Sequence, residues 1–402
     1  MMDKVEILIS GGGIAGLTAA CAFGAAGFSV LCVDPAAPVT EREAKGADLR
    51  STAFLQPAQR LLAQAGLWDR LAPHAMPLQT MRIIDAGGAA PEARLTRDFD
   101  ADEISDGPFG WNLPNWLLRR ELLAHVEAAG NITFRPGVGT DGLLTRTAEA
   151  RVHLTDGSHV TARLVIAADG RASPIRRAAG IDVQTTRYGQ KALAFAVTHP
   201  IPHGNVSTEI HRSGGPFTLV PLPDHEGLPS SAIVWMERGA EVQRLAELNE
   251  DAFNAEASAR SCHVLGPLKL ASQRGVWPII SQIADRYSAQ RVALIAEAAH
   301  VMPPIGAQGL NTSLADLRAL LALAEKSPEA LGDAAMLNAY HRARHTEVAL
   351  RMRGIDLLNR ASMMDAQPLR DARAMGLNAL HALAPVRRGL MRLGMGTARK
   401  RG

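Results

Sequence analysis

Two glycine-bearing stretches, one at each end of the chain, have residue types suited to holding an electron-rich nucleotide. The first is Gly11-Gly12-Gly13-Ile14-Ala15-Gly16, after the apolar run at 5–9. Gly11 suits a tight turn, Gly13 lets backbone approach a pyrophosphate, and Gly16 lets a helix pack on a strand. Ile14 and Ala15 lead into that helix, whose N-terminal N–H groups favour an anion. Asp34 follows a second apolar run at 29–33, where an acid can bind a ribose hydroxyl pair. An acid there disfavours a 2′-phosphate, so the expected resident nucleotide is FAD or NAD, not NADP.

The second stretch is Arg291 to Asn311. A short apolar strand at 292–295 runs into a carboxylate, Glu297. A rigid Pro303-Pro304 pair, Gly306, Gly309 and Leu310 follow, and a helix is expected to open at Asn311. Strand, acid, stiff loop and helix N-terminus together present N–H groups and a positive dipole end to an electron-rich group. With the first stretch, this points to a bound flavin. His300 reads chiefly as a loop anchor, with acid–base catalysis as the sharper alternative, which an unperturbed pKa of about 6.5 permits. A third motif lies between them. The buried run at 164–168 ends in Asp169-Gly170, and Ser173 and Pro174 read as the cap and first residue of a new helix.

These residues need a scaffold. The runs at 5–9 and 29–33, with a helix over 11–26, form one βαβ unit. Helices are expected at 57–65 and 116–129, and strands at 132–134, 150–155 and 160–168. Thr155-Asp156-Gly157-Ser158 carries a hairpin signal between the last two. From about 181 to 276 the pattern changes to β-rich runs at 193–198, 217–220 and 232–236, broken by Gly, Pro and His-rich turns. From about Asn311 onward the chain reads as nearly all helix, with Leu310, Leu314, Leu317, Leu321 and Ala324 on one stripe. The expected class is α/β. A Rossmann-like nucleotide domain (1–75, 105–180, 277–335) holds an inserted, mostly antiparallel β-sheet domain (76–104, 181–276), and a helical C-terminal region (336–402) follows.

Composition excludes several classes. The 402 residues are 47% hydrophobic and 21% charged, ordinary globular values. Aromatics at 4% and a net charge of +3 argue against a nucleic-acid partner. Cys21, Cys32 and Cys262 form no C-x-x-C pair, which fits a reducing cytoplasm rather than a disulfide framework. The scatter of His199, His203, His211 and His225 lacks metal-ligand spacing, so no metal is expected. No signal segment or membrane span is evident. The segment 387–402 holds Arg387, Arg388, Arg392, Arg399, Lys400 and Arg401 and no acid, interleaved with Leu and Met. A basic amphipathic segment can lie on an anionic membrane surface; the alternative is a solvated helix end.

The three motifs, in this order and spacing, resemble the class A flavoprotein aromatic hydroxylases. The block from His300 through Pro303, Pro304, Ile305 and Gly306 to Asn311 is most similar to their ubiquinone-biosynthesis branch. The resemblance implies that Gly11, Gly13, Gly16 and Asp34 hold the ADP half of FAD. It implies that Arg50 lies near the pyrophosphate, that Asn115 and Arg120 reach FAD from the side, and that Asp169 and Gly170 touch FAD and a transient NAD(P)H. Glu297 stands at the ribityl chain, where the family pattern is Gly-Asp and this chain has Ala296-Glu297.

NAD(P)H would reduce the flavin, and O2 carried as a flavin C(4a)-hydroperoxide would hydroxylate an aromatic ring beside Pro303, Pro304 and Gly306. The implied substrate is lipid-like, a polyprenyl-phenol or polyprenyl-benzoquinol. The implied setting is cytoplasmic, peripheral on the inner membrane face, with a quinone-biosynthesis complex as a partner. Alternatives are a hydroxylase of a soluble phenol or aromatic acid, a flavin-dependent reductase of isoprenoid double bonds, and a non-catalytic flavoprotein-like subunit. The Ala296-Glu297 departure keeps the last of these open.

Overall fold

The strand Met2–Ser10 forms the middle of a parallel sheet, and its apolar end, Ile7, Leu8 and Ile9, is fully buried. The computed structural model describes residues 2–88, 90 and 92–396. Met2–Ser10 lies between His159–Ala167 and Val30–Asp34, and both pairings are parallel. Ile132–Pro136 extends one side and Val292–Leu294 the other, again in parallel. Ala150–Leu154 returns antiparallel onto His159–Ala167 through the expected hairpin, where Gly157 takes φ +82°. The helix Ile14–Ala25 packs on Asn115–Ala128 and on Gln308–Lys326.

A second sheet of nine strands carries the β-rich middle of the chain. Its long strands are Val183–Thr198, Pro216–His225, Leu228–Arg238 and Gly275–Ala284, paired antiparallel. Val206–His211 joins Thr80–Asp85 in the sheet's parallel pair, and Leu95–Asp100 closes that edge. Gly275–Ala284 lies wholly in this sheet, so the expected domain break at 276/277 falls inside a continuous strand. A small sheet of Ser51–Leu55, Gly110–Pro114 and Met76–Leu78 bridges the two larger ones in sequence.

Alternation along the strands gives the second sheet two different faces. One face packs Leu193, Phe195, Phe217 and Trp235 against Val242, Leu245 and Phe253 of the helices Gly239–Glu247 and Glu250–Arg260. The other shows Ala192, Ala194 and Ala196, opposite Met236, Val234 and Ala232 of the neighbouring strand. This small-residue face looks toward the nucleotide module.

The C-terminal region is helical: Ala334–Ser362, Gln367–Ala382 and Ala384–Gly394. Among the described residues no helix is long and apolar enough to cross a membrane. Arg399, Lys400 and Arg401 of the basic segment lie outside the described residues.

Candidate functional site

The glycine loop is built as an open cradle. Gly11 takes φ +108°, and a Cβ there would meet the Ala168 carbonyl oxygen at 2.3 Å. A Cβ on Gly16 would sit 1.9 Å from the Gly11 carbonyl oxygen, so the helix presses directly on the turn. Gly13 has nothing within 4 Å of that position, and it begins the helix without a side-chain cap. The first-turn N–H groups thus remain available to an anion. Asp34 accepts from the Gly12 N–H at 2.6 Å and the Ala36 N–H at 2.8 Å, which fixes its carboxylate at the strand end beside this loop.

Asp169 stands next to the same turn. Its Oδ2 accepts from the Ser10 hydroxyl at 3.1 Å and the Ile175 N–H at 3.3 Å, while Oδ1 is buried without a partner. Burial pushes its carboxyl up, against the lowering effect of Ser173, the Ile175 N–H and Ser10. Buried oxygens are rarely left orphaned, and a hydroxyl of a bound nucleotide would satisfy this one. Gly170, at φ +81°, leaves open space beside it. Open glycine face, fixed acid and orphaned carboxylate oxygen together fit a dinucleotide such as FAD.

Arg50 and Asn115 meet at a residue that the sequence did not single out, Asp48. Arg50 donates to both Asp48 oxygens at 2.7 Å, and Asn115 Nδ2 donates to Oδ2 at 3.0 Å. Thr52 fixes Asn115 in turn, donating to its Oδ1 at 2.8 Å. Burial pushes the Asp48 carboxyl up, but Arg50, Asn115 and Arg119 together hold it below the usual carboxylate range. The alternate spacing Asp48-Leu49-Arg50 was the available signal, since residues two apart on extended backbone share a side. The guanidinium of Arg50 also lies 4.4 Å from the Trp277 ring, which ties the nucleotide module to the second sheet.

Arg120 does not reach this cluster. It donates to Glu121 at 2.9 Å and lies over Trp116, whereas Arg119 approaches Asp48 at 3.4 Å. Adjacent helical residues point about 100° apart, so only one of the two arginines can face Asp48. Of the two, Arg119 rather than the expected Arg120 is the arginine that joins the Asp48 and Asn115 cluster.

The Arg291–Asn311 stretch keeps its expected outline but differs in three details. Ala296 adopts φ +55°, a left-handed conformation that favours glycine, and it presents an exposed Glu297. The Glu297 charge is felt at Arg50. Pro303 is buried and Pro304 exposed, and Ile305 packs into a cluster with Ala192, Met236 and Ile279 of the second sheet. Gly306 at φ +61° and Ala307 at φ +56° then turn the chain into Gln308–Lys326. The helix therefore opens three residues before Asn311. Its N-cap, Ala307, makes no side-chain cap, so Gln308, Gly309 and Leu310 carry first-turn N–H groups without one. Asn311 is spent on structure: Nδ2 donates to Ala53 O and Ala307 O at 2.7 Å, and Oδ1 accepts from the Leu55 N–H at 2.8 Å.

His300 sits as an enclosed anchor of the loop, in line with the blander of its two sequence readings. Its ring is 2% exposed, and Nε2 lies 2.6 Å from Asp316 of the following helix. Arg344 donates to the other Asp316 oxygen at 2.7 Å. A ring enclosed with a buried carboxylate and a guanidinium positions the loop.

With this geometry in view, comparison with known proteins is informative. The model of a family described as "FAD binding domain" matches residues 4–353. Ubiquinone hydroxylase UbiL of Rhodospirillum rubrum is 34% identical over 399 residues, covering 98% of this chain and 90% of that protein. The 3-demethoxyubiquinol 3-hydroxylase of Escherichia coli is 27% identical, covering 98% and 99%. Among solved structures, p-nitrophenol 4-monooxygenase PnpA of Pseudomonas putida shares the fold with a TM-score of 0.80 at 18% identity, covering 99% of this chain and all of that one. The chain belongs to this FAD-binding family, among the class A FAD-dependent aromatic hydroxylases of ubiquinone biosynthesis.

Proposed function

We propose that this FAD-dependent monooxygenase hydroxylates the ring of a polyprenyl-phenol or polyprenyl-benzoquinol intermediate of ubiquinone biosynthesis, with NAD(P)H and O2. The observation that carries the substrate class is a two-sided cleft of about 240 Å3 between the two modules, with an apolar wall and a polar end formed by Arg42, His74, Asp224 and His225. Ala196 and Leu222 line it from the small-residue face of the second sheet, and Leu49, Trp116 and Leu117 line it from the nucleotide module. A larger cleft of about 460 Å3 lies between the long helix Ala334–Ser362 and the strands Val183–Thr198 and Gly275–Ala284, with no lining residue from the Gly11–Gly16 loop or the Pro303–Ile305 loop.

The residues divide the work. The Gly11–Gly16 loop and Asp34 would hold the nucleotide end of FAD, with Asp169 alongside. Arg50 brings a positive charge between the modules, and Glu297 faces outward from the loop that precedes Pro303. Bound FAD supplies the redox chemistry, taking electrons from NAD(P)H and activating O2. Uncapped N–H groups at Gln308, Gly309 and Leu310 set positive charge where negative charge would develop. Buried Pro303 and Ile305 exclude water on the side facing the second sheet. The lipid-like substrate also suits a protein that works at an inner-membrane face and within a quinone-biosynthesis assembly.

Two measurements test the reading. Purified protein should be yellow, and Glu297→Ala should lose flavin while the far-UV spectrum is kept. Loss of the protein from its host should cause a prenylated aromatic precursor lacking one hydroxyl to accumulate. A colourless protein that FAD cannot reconstitute would sink the enzymatic reading, and an unchanged quinone-precursor profile would sink the substrate.

A further inference from the structure

The two C-terminal helices are attached the wrong way round for helices in water. Neither Gln367–Ala382 nor Ala384–Gly394 contains a fully buried residue. They are held to the protein by their polar side. Arg373 donates to Asp85 at 2.9 Å, Asp371 accepts from Arg94 at 2.6 Å, and His381 bonds the Asp98 carbonyl at 2.9 Å. Arg387 grips Glu103 through Nε at 3.0 Å and Nη2 at 2.8 Å, and Arg388 approaches the same carboxylate at 3.5 Å. The partners lie on the Thr80–Asp85 and Leu95–Asp100 strands and just after them, at the edge of the second sheet.

The apolar side is left outside. Leu369, Met375 and Leu380 on the first helix and Val386, Leu390 and Leu393 on the second are exposed, Met375 by 73%. An amphipathic helix on a globular body ordinarily turns this stripe inward. On the second helix Val386, Leu390 and Leu393 share one exposed face while Arg387 and Met391 turn toward the protein, so ion pairs fix an outward apolar stripe there; on the first helix the exposed Leu369, Met375 and Leu380 are spread around the outer surface. Arg388 and Arg392 are exposed on the second helix among these apolar residues, and the sequence continues with Arg399, Lys400 and Arg401. Within the basic amphipathic segment, Arg387 serves the fold, and Val386, Leu390 and Leu393 are exposed.

We infer that the outward face of these two helices docks onto an anionic phospholipid bilayer, with its apolar side chains in the acyl boundary and the exposed Arg388 and Arg392 adding positive charge near the headgroups. This rests on the lipid-like substrate proposed above and deepens it, because a bilayer is where such a substrate resides. The docked helices also touch the hydroxylation loop. Gln308, the first residue of the helix after that loop, donates to the Gly394 carbonyl at 3.1 Å and accepts from Arg351 of the long helix. Docking at this face would therefore set the substrate-bearing membrane beside the loop.

The test uses the full-length, FAD-loaded protein and sedimentation with vesicles of phosphatidylcholine alone or mixed with phosphatidylglycerol. We expect binding to the mixed vesicles that weakens with salt. Met375→Glu with Leu390→Glu should lower partitioning by about tenfold or more, with flavin content unchanged. Arg388→Gln with Arg392→Gln should weaken binding to the mixed vesicles only. Binding that survives the glutamate pair would overturn the proposal in favour of the basic tail alone. No binding to either vesicle by the yellow protein would also overturn it and favour a protein partner. Flavin content and NAD(P)H oxidation with a soluble phenol separate either result from failure of the hydroxylase reading.

Discussion

At the scale of single residues, the most unusual position is Ala296. A Cβ in the left-handed region costs about 1–2 kcal/mol, and Ala296 and Ala307 both hold it, on either side of the Pro303–Ile305 loop. Ala296→Gly should relieve this strain and raise unfolding stability by about 1 kcal/mol, read by urea titration of the apoprotein. Lower stability in the variant would mean that the local backbone is not strained. Glu297 is legible in the sequence alone, because strand, carboxylate and rigid loop follow one another along the chain. The role of Asp48 is not, because its partners Asn115 and Arg119 come from a helix more than sixty positions away. The choice between Arg119 and Arg120 depends on helix phase, which neighbouring arginines do not reveal.

At the scale of elements, the helix Gln308–Lys326 holds the site together. Asn311 clamps its first turn to Ser51–Leu55, and Asp316 locks its middle to His300 and Arg344. Both locks align the uncapped N-terminus with the loop before it. His300→Ala would leave the fully buried Asp316 short of a partner, at a cost of about 3–5 kcal/mol. Thermal unfolding should fall together with flavin retention. An unchanged melting temperature with lowered turnover would instead restore His300 to a direct part in the chemistry. The alternation and turn signals of the middle sheet are legible at 193–198, 217–220 and 232–236, while Thr80–Asp85, Leu95–Asp100, Val206–His211 and Gly275–Ala284 carry no signal read from the sequence. This helix starts about one turn earlier than its residue pattern suggests, because Gly306-Ala307 completes the turn with two successive positive-φ residues.

At the scale of the whole molecule, ion pairs join parts that the hydrophobic cores do not. Asp48 links the nucleotide module to Arg50 and, through it, to Trp277; Asp85 and Glu103 hold the C-terminal helices. Burial raises Asp85, yet Arg94 and Arg373 bring it below its ordinary value, and Arg387 does the same for Glu103. Folded values below the unfolded ones mean stability that is present above about pH 4 and lost as pH falls through the folded pKa. Acid should therefore release the C-terminal helices before the sheets unfold. Limited proteolysis on a descending pH series should cut near residues 363–366 while far-UV dichroism is still native; simultaneous loss of both would refute this order.

The sequence by itself determined the nucleotide half of this protein. Its glycines, acids and apolar runs act within one βαβ unit or one strand–loop–helix passage, where spacing along the chain equals spacing in space. It also determined that a β-rich module interrupts that half, since a change of period is a local property. Only the tertiary structure decided which arginine joins Asp48, that His300 is enclosed, and that Gly275–Ala284 belongs to one sheet along its full length. It alone decided that the last helices face outward with their leucines. Those outcomes depend on side chains brought together from distant segments, and on which face of an amphipathic helix finds the stronger partner. Here carboxylates at a sheet edge captured the arginines, and the apolar face was left to meet something other than the protein.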